Sequence, residues 1–552
     1  MDQETTDARD AANAPDEPTR RPEAPPYGRR PLEPTPLWAW FVLAGIVIAG
    51  FLVRVPGLGG PIVGYHAFNE AYYVSNAVRD LHLSPLSPWL TLALNPPLYT
   101  SLLSGVMWVF GPTILTGRVL SVVATLGTAV AVFFLGRRLY GTTAGLGAAV
   151  VMALAPGSAL VGRNIQIEPV LGLLITLTTL AWVIAMDEGS IRWSAGAGIF
   201  AGLAWLAKMQ GVVIVPALAL AEVIRTRSLR RLLARGPLTA LIAFLVVGLP
   251  WQLWNLLQPS RAMVLGVRAS ESGWPDLRFF DMLLYREWVG FLSPGLAVVV
   301  VAGLLLLAWR HRPADVLVLL LVLFNIVFYF VYHLHSYYLY SAVPFVALCA
   351  GAVLEPLELR RPRVAIAAVC VAALVLTPFA LTEVVGKKLG YWGSDQVVTA
   401  AVAAGVDPAN SALAVGPSFL DTWGPVLEFY GKGMQAVARP LRPGDVLRPG
   451  ERLISLDPQP RPASADVKPL IRLTDTHVMP VFFGYAVDQS HDALFYFAID
   501  QPHLQKVGPW WTFGVTQRTV PMDLWASLIS PAWTERIRAE AASATAAPSP
   551  AP

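Results

Sequence analysis

The stretch 193–225, WSAGAGIFAGLAWLAKMQGVVIVPALALAEVIR, decides how the chain is threaded. Lys208-Met209-Gln210 is the only polar interruption between Ala195 and Ala221. As one helix the stretch would run to about 50 Å at 1.5 Å per residue, far beyond the ~30 Å hydrocarbon core of a bilayer. As two spans, 193–208 and 210–225, each half is close to the length of a crossing. Lys208 then marks either a tight turn or a buried cation.

That choice fixes the parity of everything around it. Apolar runs lie at 38–55, 96–112, 113–136, 142–158, 169–187, 193–208, 210–225, 237–257, 288–309, 315–333, 336–354 and 364–383. The run 96–112 opens with Pro96-Pro97, closes with Gly111-Pro112 and meets the next run without a charged loop, so it reads as a helix that enters from one face without crossing. Eleven crossings remain. Lys and Arg in short loops stay cytoplasmic, and eleven crossings put Arg20-Arg21, Arg29-Arg30, Arg137-Arg138, Arg192, the 225–235 cluster, Arg310/Arg312 and Arg360-Arg361/Arg363 on one side. Counting 96–112 as a crossing would expel Arg137-Arg138, and would keep the later clusters inside only if 193–225 were one overlong span.

Composition agrees with a polytopic membrane protein. Of the 552 residues 55% are hydrophobic and 14% charged, against about 25% charged in soluble domains. A soluble enzyme is thereby excluded. A net charge of +4 that comes from arginines between apolar runs also argues against a nucleic-acid partner. Cys349 and Cys370 both sit in apolar runs, so no disulfide framework or cysteine metal site is expected.

The predicted fold class is an all-α polytopic membrane domain with a small C-terminal α/β extracytoplasmic domain. Residues 1–36, with eight prolines, eight acids and five arginines, read as a disordered cytoplasmic tail. They lack the order of a cleavable signal peptide, so the first apolar run is expected to remain as a span. Residues 37–384 form the membrane domain. Charges and prolines return over 385–537, where Ala412–Val415, Arg452–Leu456, Val478–Phe483 and Ala493–Ile499 read as strands. Residues 538–552 read as a second disordered tail. The whole predicts a multi-pass cell-membrane protein with its N-terminus in the cytoplasm and its C-terminal domain outside.

On this threading the polar residues at membrane depth gather on the outer face. They are His66, Asn69, Glu70, Tyr72 and Tyr73; Arg163, Gln166 and Glu168; Lys208 and Gln210; and His333, His335, Tyr337 and Tyr338. If a helix begins near Tyr65, then His66, Asn69, Glu70 and Tyr73 share one face at i, i+3, i+4 and i+7. Each cluster has a plainer reading. A span-end Glu or Lys can be solvated at the interface, the tyrosines can be belt aromatics, the 66–74 helix can lie on the lipid surface, and Arg163 can pair with Glu168 to pin a turn.

Carboxylates and cations in an outer pocket open to lipid suit an amphiphile with a phosphate head. A lipid-linked sugar phosphate fits, because transfer to a hydroxyl needs a base for the acceptor proton and donors for the charge on the departing phosphate. No GxxxxGK[ST] loop suggests an ATP-driven pump. His66, Glu70 and Glu168 could bind a divalent metal, yet no ligand spacing demands one, and no other cofactor is expected.

The order of elements resembles the GT-C glycosyltransferases that use polyprenyl-phosphate sugars, the protein O-mannosyltransferases and aminoarabinose transferases of glycosyltransferase family 39. Their acidic pair "DEayYa" is matched by Asn69-Glu70-Ala71-Tyr72-Tyr73-Val74, and "PPLyy", preceded there by a base, by Asn95-Pro96-Pro97-Leu98-Tyr99. Gly117-Arg118-Val119-Leu120-Ser121 resembles "aRl.s", and Gly162 to Pro169 resembles "sRyilLDp" with the same Arg-to-acid spacing. Gly202 to Lys208 resembles "gla.ltK", and His335-Ser336-Tyr337-Tyr338-Leu339 with Pro344 resembles "H.YYl...P".

The resemblance implies an inverting transferase on the outer face, its donor a polyprenyl-phosphate-linked sugar and its acceptor a protein, lipid or glycan. The loop-one acid would be the base, and the Arg, Lys and His positions would hold phosphate or sugar. The candidate catalytic residues are Glu70, His66 and Glu168, with Glu70 preferred as base beside His66. Asn69, Tyr73, Asn95, Arg163, Lys208, His335, Tyr337 and Tyr338 are the candidate substrate-binding residues. Two departures count: Asn69 stands where the family has its first acid and Asn95 where it has a base. The competing functions are a transporter or flippase for an amphiphile and a catalytically degenerate family member.

Overall fold

The computed structural model describes residues 25–28, 34–59, 67–83, 95–258, 288–331, 336–386, 394–415, 434–438, 451–457, 459–482, 485–488, 503–512, 514–536 and 539. Each of the eleven apolar runs is helical in it. The helices are Leu37–Arg54, Ile114–Tyr140, Thr142–Leu154 continued by Pro156–Val161, Glu168–Glu188, Ile191–Ala207, Ile214–Thr226 and Arg235–Leu256. They continue with Trp288–Leu292 and Pro294–Arg310, Pro313–Val331, the 3₁₀ segment Ser336–Ala342 running into Val343–Ala352, and Pro362–Gly386. Among the described residues seven helical stretches are long and apolar enough to cross a membrane.

Local chemistry sets the ends of these helices. The Thr113 hydroxyl accepts from the Thr116 amide at 3.1 Å and starts the 27-residue helix Ile114–Tyr140. Gly189, left-handed at φ 66, closes Glu168–Glu188, and Ser190 caps the next helix through the Trp193 amide. Lys208 leaves helical geometry at φ −153 and hands the chain to the 3₁₀ turn Met209–Val213. The 193–225 stretch is thus two helices with a break at its one polar point. Leu98–Phe110, with 13 residues, spans only about 20 Å.

The bundle is built around Thr142–Leu154, where every residue from Thr143 onward is buried. Peripheral helices keep an apolar outer face, with Val246 and Leu374 largely exposed, as lipid contact requires. The helices Ile191–Ala207 and Arg235–Leu256 meet through small residues. A Cβ at Gly198 would collide with the Ala240 carbonyl, and one at Gly202 would come within 2.7 Å of Val247 Cβ.

After the last membrane helix, Ser394–Ala403 packs on a seven-stranded mixed sheet ordered β2-β1-β3-β7-β4-β5-β6. The strands are β1 Ser411–Val415, β2 Gln435–Ala438, β3 Arg452–Asp457, β4 Val467–Phe482, β5 Tyr485–Asp488, β6 His503–Lys506 and β7 Gly514–Ile529. Strand β1 runs parallel to β2 and β3, and the other pairs are antiparallel. Val397, Val398 and Ala401 of the helix join Leu413, Ile454 and Leu456 in one core. Gln396 ties the helix to β4 through the Thr474 backbone, at 2.6 and 3.0 Å. Three of the four expected strands coincide with β1, β3 and the end of β4. The fourth, Ala493–Ile499, lies outside the described residues, as do residues 541–552.

The reading of residues 1–36 as disordered needs correcting at one place. Pro25-Pro26-Tyr27-Gly28 is docked against the arginine-rich side of the bundle. The amides of Tyr27 and Gly28 donate to the two oxygens of Asp187, at 2.8 and 3.0 Å. Tyr27 Oη donates to Glu222 at 3.0 Å, and Arg225 lies over the Tyr27 ring while donating to the Pro25 carbonyl. Gly28 sits against Arg138, where a Cβ would approach within 2.8 Å of the arginine side chain. Composition missed this because the docking relies on two carboxylates from helices far along the chain. Burial, and then the Glu222 carboxylate, hold the Tyr27 phenol well above its ordinary range, so it stays a donor at neutral pH.

A hydrogen bond to a charged group contributes about 1.5–3 kcal/mol. Tyr27→Phe should therefore raise tryptic cleavage of the tail at least tenfold without changing the thermal stability of the bundle. An unchanged cleavage rate would show that the ring and the backbone contacts alone hold the segment.

Candidate active site

At the opposite ends of these helices the polar residues meet around the turn 162–167. Glu70, in the helix Ala67–Leu83, is fully buried. Its Oε1 accepts from Arg118 Nε and from the Ile165 amide, both at 2.9 Å, and its Oε2 accepts from Arg118 Nη2 at 2.9 Å. Arg118 Nη1 turns to the carbonyls of Leu58 and Gly57, at 3.0 and 3.3 Å. The pair is a closed bidentate fork whose charges answer each other. Glu70 is therefore not the free carboxylate that its place in the sequence suggested.

Glu168 is different. It opens the helix Glu168–Glu188, where the helix N-terminus favours negative charge. Lys208 Nζ donates to its Oε1 at 2.6 Å, while Oε2 is buried with no hydrogen-bond partner among the described residues. Lys208 Nζ also lies 3.6 Å from the centre of the Tyr338 ring. Lys208 is thus a buried cation as well as the mark of a break, and it reaches the site because the chain leaves the helix there.

Arg163 does not pair with Glu168, which removes the reading of a simple turn-pinning ion pair. Its Nη1 donates to the Val384 carbonyl at 2.9 Å, its Nε is buried without a partner, and no acid lies within ion-pair distance among the described residues. Burial, then repulsion from Arg118, pulls this guanidinium down to about 10, with Glu70 opposing and Arg54 adding to the repulsion. Arg54 is itself wholly buried on the carbonyls of Gly50, Ala153 and Ser158. Arg163 thus feels the positive charges of Arg118 and Arg54 against the negative charge of Glu70.

Amides bridge these groups. Asn69 Nδ2 donates to Gln166 Oε1 at 3.3 Å, leaving Gln166 Nε2 buried and unpartnered. Asn95 Nδ2 donates to the Tyr73 hydroxyl at 3.3 Å, and the Tyr73 and Tyr99 rings meet edge-on at 5.1 Å. Gln210 Nε2 donates to Ser341 Oγ at 2.6 Å and leaves its own Oε1 unpartnered. The site thus joins the helix Ala67–Leu83, Asn95, the start of Ile114–Tyr140, the 162–168 turn, Lys208–Gln210 and the 3₁₀ segment Ser336–Ala342.

Of the residues expected from sequence, Asn69, Glu70, Tyr73, Asn95, Glu168, Lys208 and Tyr338 are brought together here, with Arg163 on the same turn. His66 and His335 lie outside the described residues, as does the side chain of Tyr337, whose backbone is in the 3₁₀ segment. Among the described residues no three His, Cys, Asp or Glu come together as a metal site would require. Sequence reading did not single out Arg118 as a site residue. Its signal was an arginine inside an apolar run, which at membrane depth demands a partner.

Residues 95–254 match the dolichyl-phosphate-mannose-protein mannosyltransferase family. A polyprenol-phosphate-mannose–protein mannosyltransferase of Corynebacterium glutamicum is 26% identical over 245 residues, 38% of this chain and 46% of that protein. The match therefore spans less than half the length of that relative. ArnT from Cupriavidus metallidurans, solved in the apo state and bound to undecaprenyl phosphate, superposes with a TM-score of 0.56 at 16% identity, over 76% of this chain and 92% of ArnT. The apo oligosaccharyltransferase of Archaeoglobus fulgidus gives a TM-score of 0.50 at 14% identity, over 73% of this chain and 65% of that one. The bundle thus has the fold of ArnT, and residues 95–254 are similar in sequence to the dolichyl-phosphate-mannose-protein mannosyltransferases.

Proposed function

We propose that the chain moves a sugar from a polyprenyl-phosphate donor to an acceptor hydroxyl at the outer face of the membrane, with inversion. The observation that carries this reading is the Glu168 carboxylate, held through one oxygen by Lys208 and open at the other, on the same turn as an Arg163 that lacks an acid partner. In the reaction the acceptor oxygen bonds to the anomeric carbon as the bond from that carbon to the phosphate oxygen breaks. Glu168 Oε2 takes the acceptor proton. Arg163 and Lys208 hold the charge that develops on the departing lipid phosphate.

Glu70 has another part in this scheme. With both oxygens occupied by Arg118 and the Ile165 amide it fixes the 162–168 turn and so positions Glu168. Tyr73, Tyr99 and Tyr338 offer aromatic faces for the sugar, and Asn69 and Asn95 supply amide hydrogen bonds where the resembled family has charge. The donor, mannose first, and a protein hydroxyl as acceptor follow from the name of the Corynebacterium relative; a lipid or glycan acceptor uses the same chemistry. We place the arginine-rich side in the cytoplasm and the sheet domain outside.

Glu168→Gln should lower transfer from polyprenyl-phosphate mannose in purified membranes by about 10² to 10⁴, the range for losing a general base, with unchanged yield of folded protein. Among the described residues the Glu168 carboxylate accepts one hydrogen bond, from Lys208, and the Glu70 carboxylate accepts three. Glu70→Gln should instead cost about 3–5 kcal/mol of stability by stranding the Arg118 charge, so its lost activity would track lost folded protein. A well-folded but inactive Glu70→Gln protein beside an active Glu168→Gln protein would return the role of base to Glu70. No transfer by the parent chain, with activity appearing in Asn69→Asp, would mark a degenerate enzyme.

The orientation has its own check. A glycosylation tag inserted after Gly405, in the exposed turn before β1, should be modified from outside. Labelling from the cytoplasmic side would overturn the placement.

A further inference from the structure

On the arginine-rich side of the bundle a cleft of about 120 Å³ opens between the helices Glu168–Glu188, Ile191–Ala207, Ile214–Thr226 and Arg235–Leu256. Trp182, Ala201, Leu218, Leu232, Pro237 and Phe244 form its walls, and Thr178 brings the only hydroxyl. Leu241, also in the lining, is 44% exposed, so the cleft reaches the lipid-facing surface. An apolar cleft of this kind excludes water and is filled by hydrocarbon.

The loop at its mouth reads Thr226-Arg-Ser-Leu-Arg-Arg-Leu-Leu-Ala-Arg235. Leu232, between Arg231 and Leu233, supplies part of the wall, and Pro237 follows Arg235 by two residues. Arg227, Arg230, Arg231 and Arg235 are exposed and make no ion pair among the described residues. Some arginines on this side are held by acids, Arg138 by Asp187 and Glu188, Arg225 by Glu222, Arg310 and Arg312 by Asp315 and Glu355; Arg192, Arg360, Arg361 and Arg363 are exposed without an ion pair among the described residues, but none of them lines the cleft. Leu229 and Leu233, in the short 3₁₀ helix Leu229–Leu233, are 73% and 74% exposed, placing apolar side chains beside the free guanidinium groups.

Topology alone accounts for positive charge on this face. It does not account for an apolar cleft whose rim is made by the same loop. We propose that this is a binding site for an anionic phospholipid of the arginine-side leaflet. One acyl chain occupies the cleft, the phosphate is held by Arg230, Arg231 and Arg235, and Leu229 and Leu233 enter the acyl region beside it.

The occupant is not the sugar donor bound head-first in the candidate active site. Ala197 and Ala201 precede Lys208 by 11 and 7 residues along one helix, which puts the cleft about 10–17 Å below Lys208. A phosphate at the rim arginines lies farther still, at the other end of the bundle.

The test is native mass spectrometry of the full chain in detergent, titrated with phosphatidylglycerol and with phosphatidylcholine of the same acyl chains. Phosphatidylglycerol should be retained with at least tenfold preference. The combined change Arg230→Gln, Arg231→Gln and Arg235→Gln should reduce it to the phosphatidylcholine level. Ala219→Trp, which fills the cleft and leaves every charge in place, should weaken retention of phosphatidylglycerol at least fivefold. Equal retention of the two lipids by the parent chain overturns the proposal. So does undiminished preference in the triple variant, or unweakened retention in a folded Ala219→Trp protein.

Discussion

The closed ion pair of Glu70 and Arg118 is the constraint around which the half of the bundle that carries the candidate site is arranged. A guanidinium and a carboxylate at membrane depth are tolerable only when each satisfies the other and the remaining hydrogen-bonding groups find partners. Here the fork uses both carboxylate oxygens, the spare arginine nitrogen reaches two backbone carbonyls, and the carboxylate also takes the Ile165 amide. One pair thereby fastens the end of the first membrane helix, the Ala67–Leu83 helix, the Ile114–Tyr140 helix and the turn that carries Arg163, Gln166 and Glu168. With that turn fixed, Glu168 and Lys208 can stand as a second, open pair.

The two pairs are chemically alike and physically opposite. In the first, three hydrogen bonds, two from Arg118 and one from the Ile165 amide, engage both carboxylate oxygens. In the second, one carboxylate oxygen and two nearby amide atoms, Gln166 Nε2 and Gln210 Oε1, have no hydrogen-bond partner among the described residues. Buried polar groups without partners are costly in an apolar surrounding. A site that leaves several of them together is arranged for groups that arrive from outside.

Much of this was legible before any coordinates. The helices, the break at Lys208, the shortness of Leu98–Phe110 and the convergence of Asn69, Glu70, Glu168, Lys208 and Tyr338 followed from apolar run lengths and from where polar residues interrupt them. Pairing was not legible. Glu70 and Arg118 are 48 residues apart, Glu168 and Lys208 are 40 apart, and nothing in a linear pattern says which cation answers which acid. Arg163 and Glu168, five apart, looked like partners and are not. The docked Tyr27 was hidden for the same reason, since a proline-rich, charged segment reads as unstructured unless Asp187 and Glu222 are known to be waiting for it.

The contact of Gly198 and Gly202 with the Arg235–Leu256 helix has a mechanical meaning. Two helices in backbone contact, with no room for one methyl group, cannot slide past each other and behave as one stiff strut. Lys208 stands at the tip of that strut. The ammonium group is thus the fixed post of the candidate site, and any yielding to a larger occupant falls to the opposite wall, where Tyr73, Tyr99 and Asn95 ride on short helices and turns.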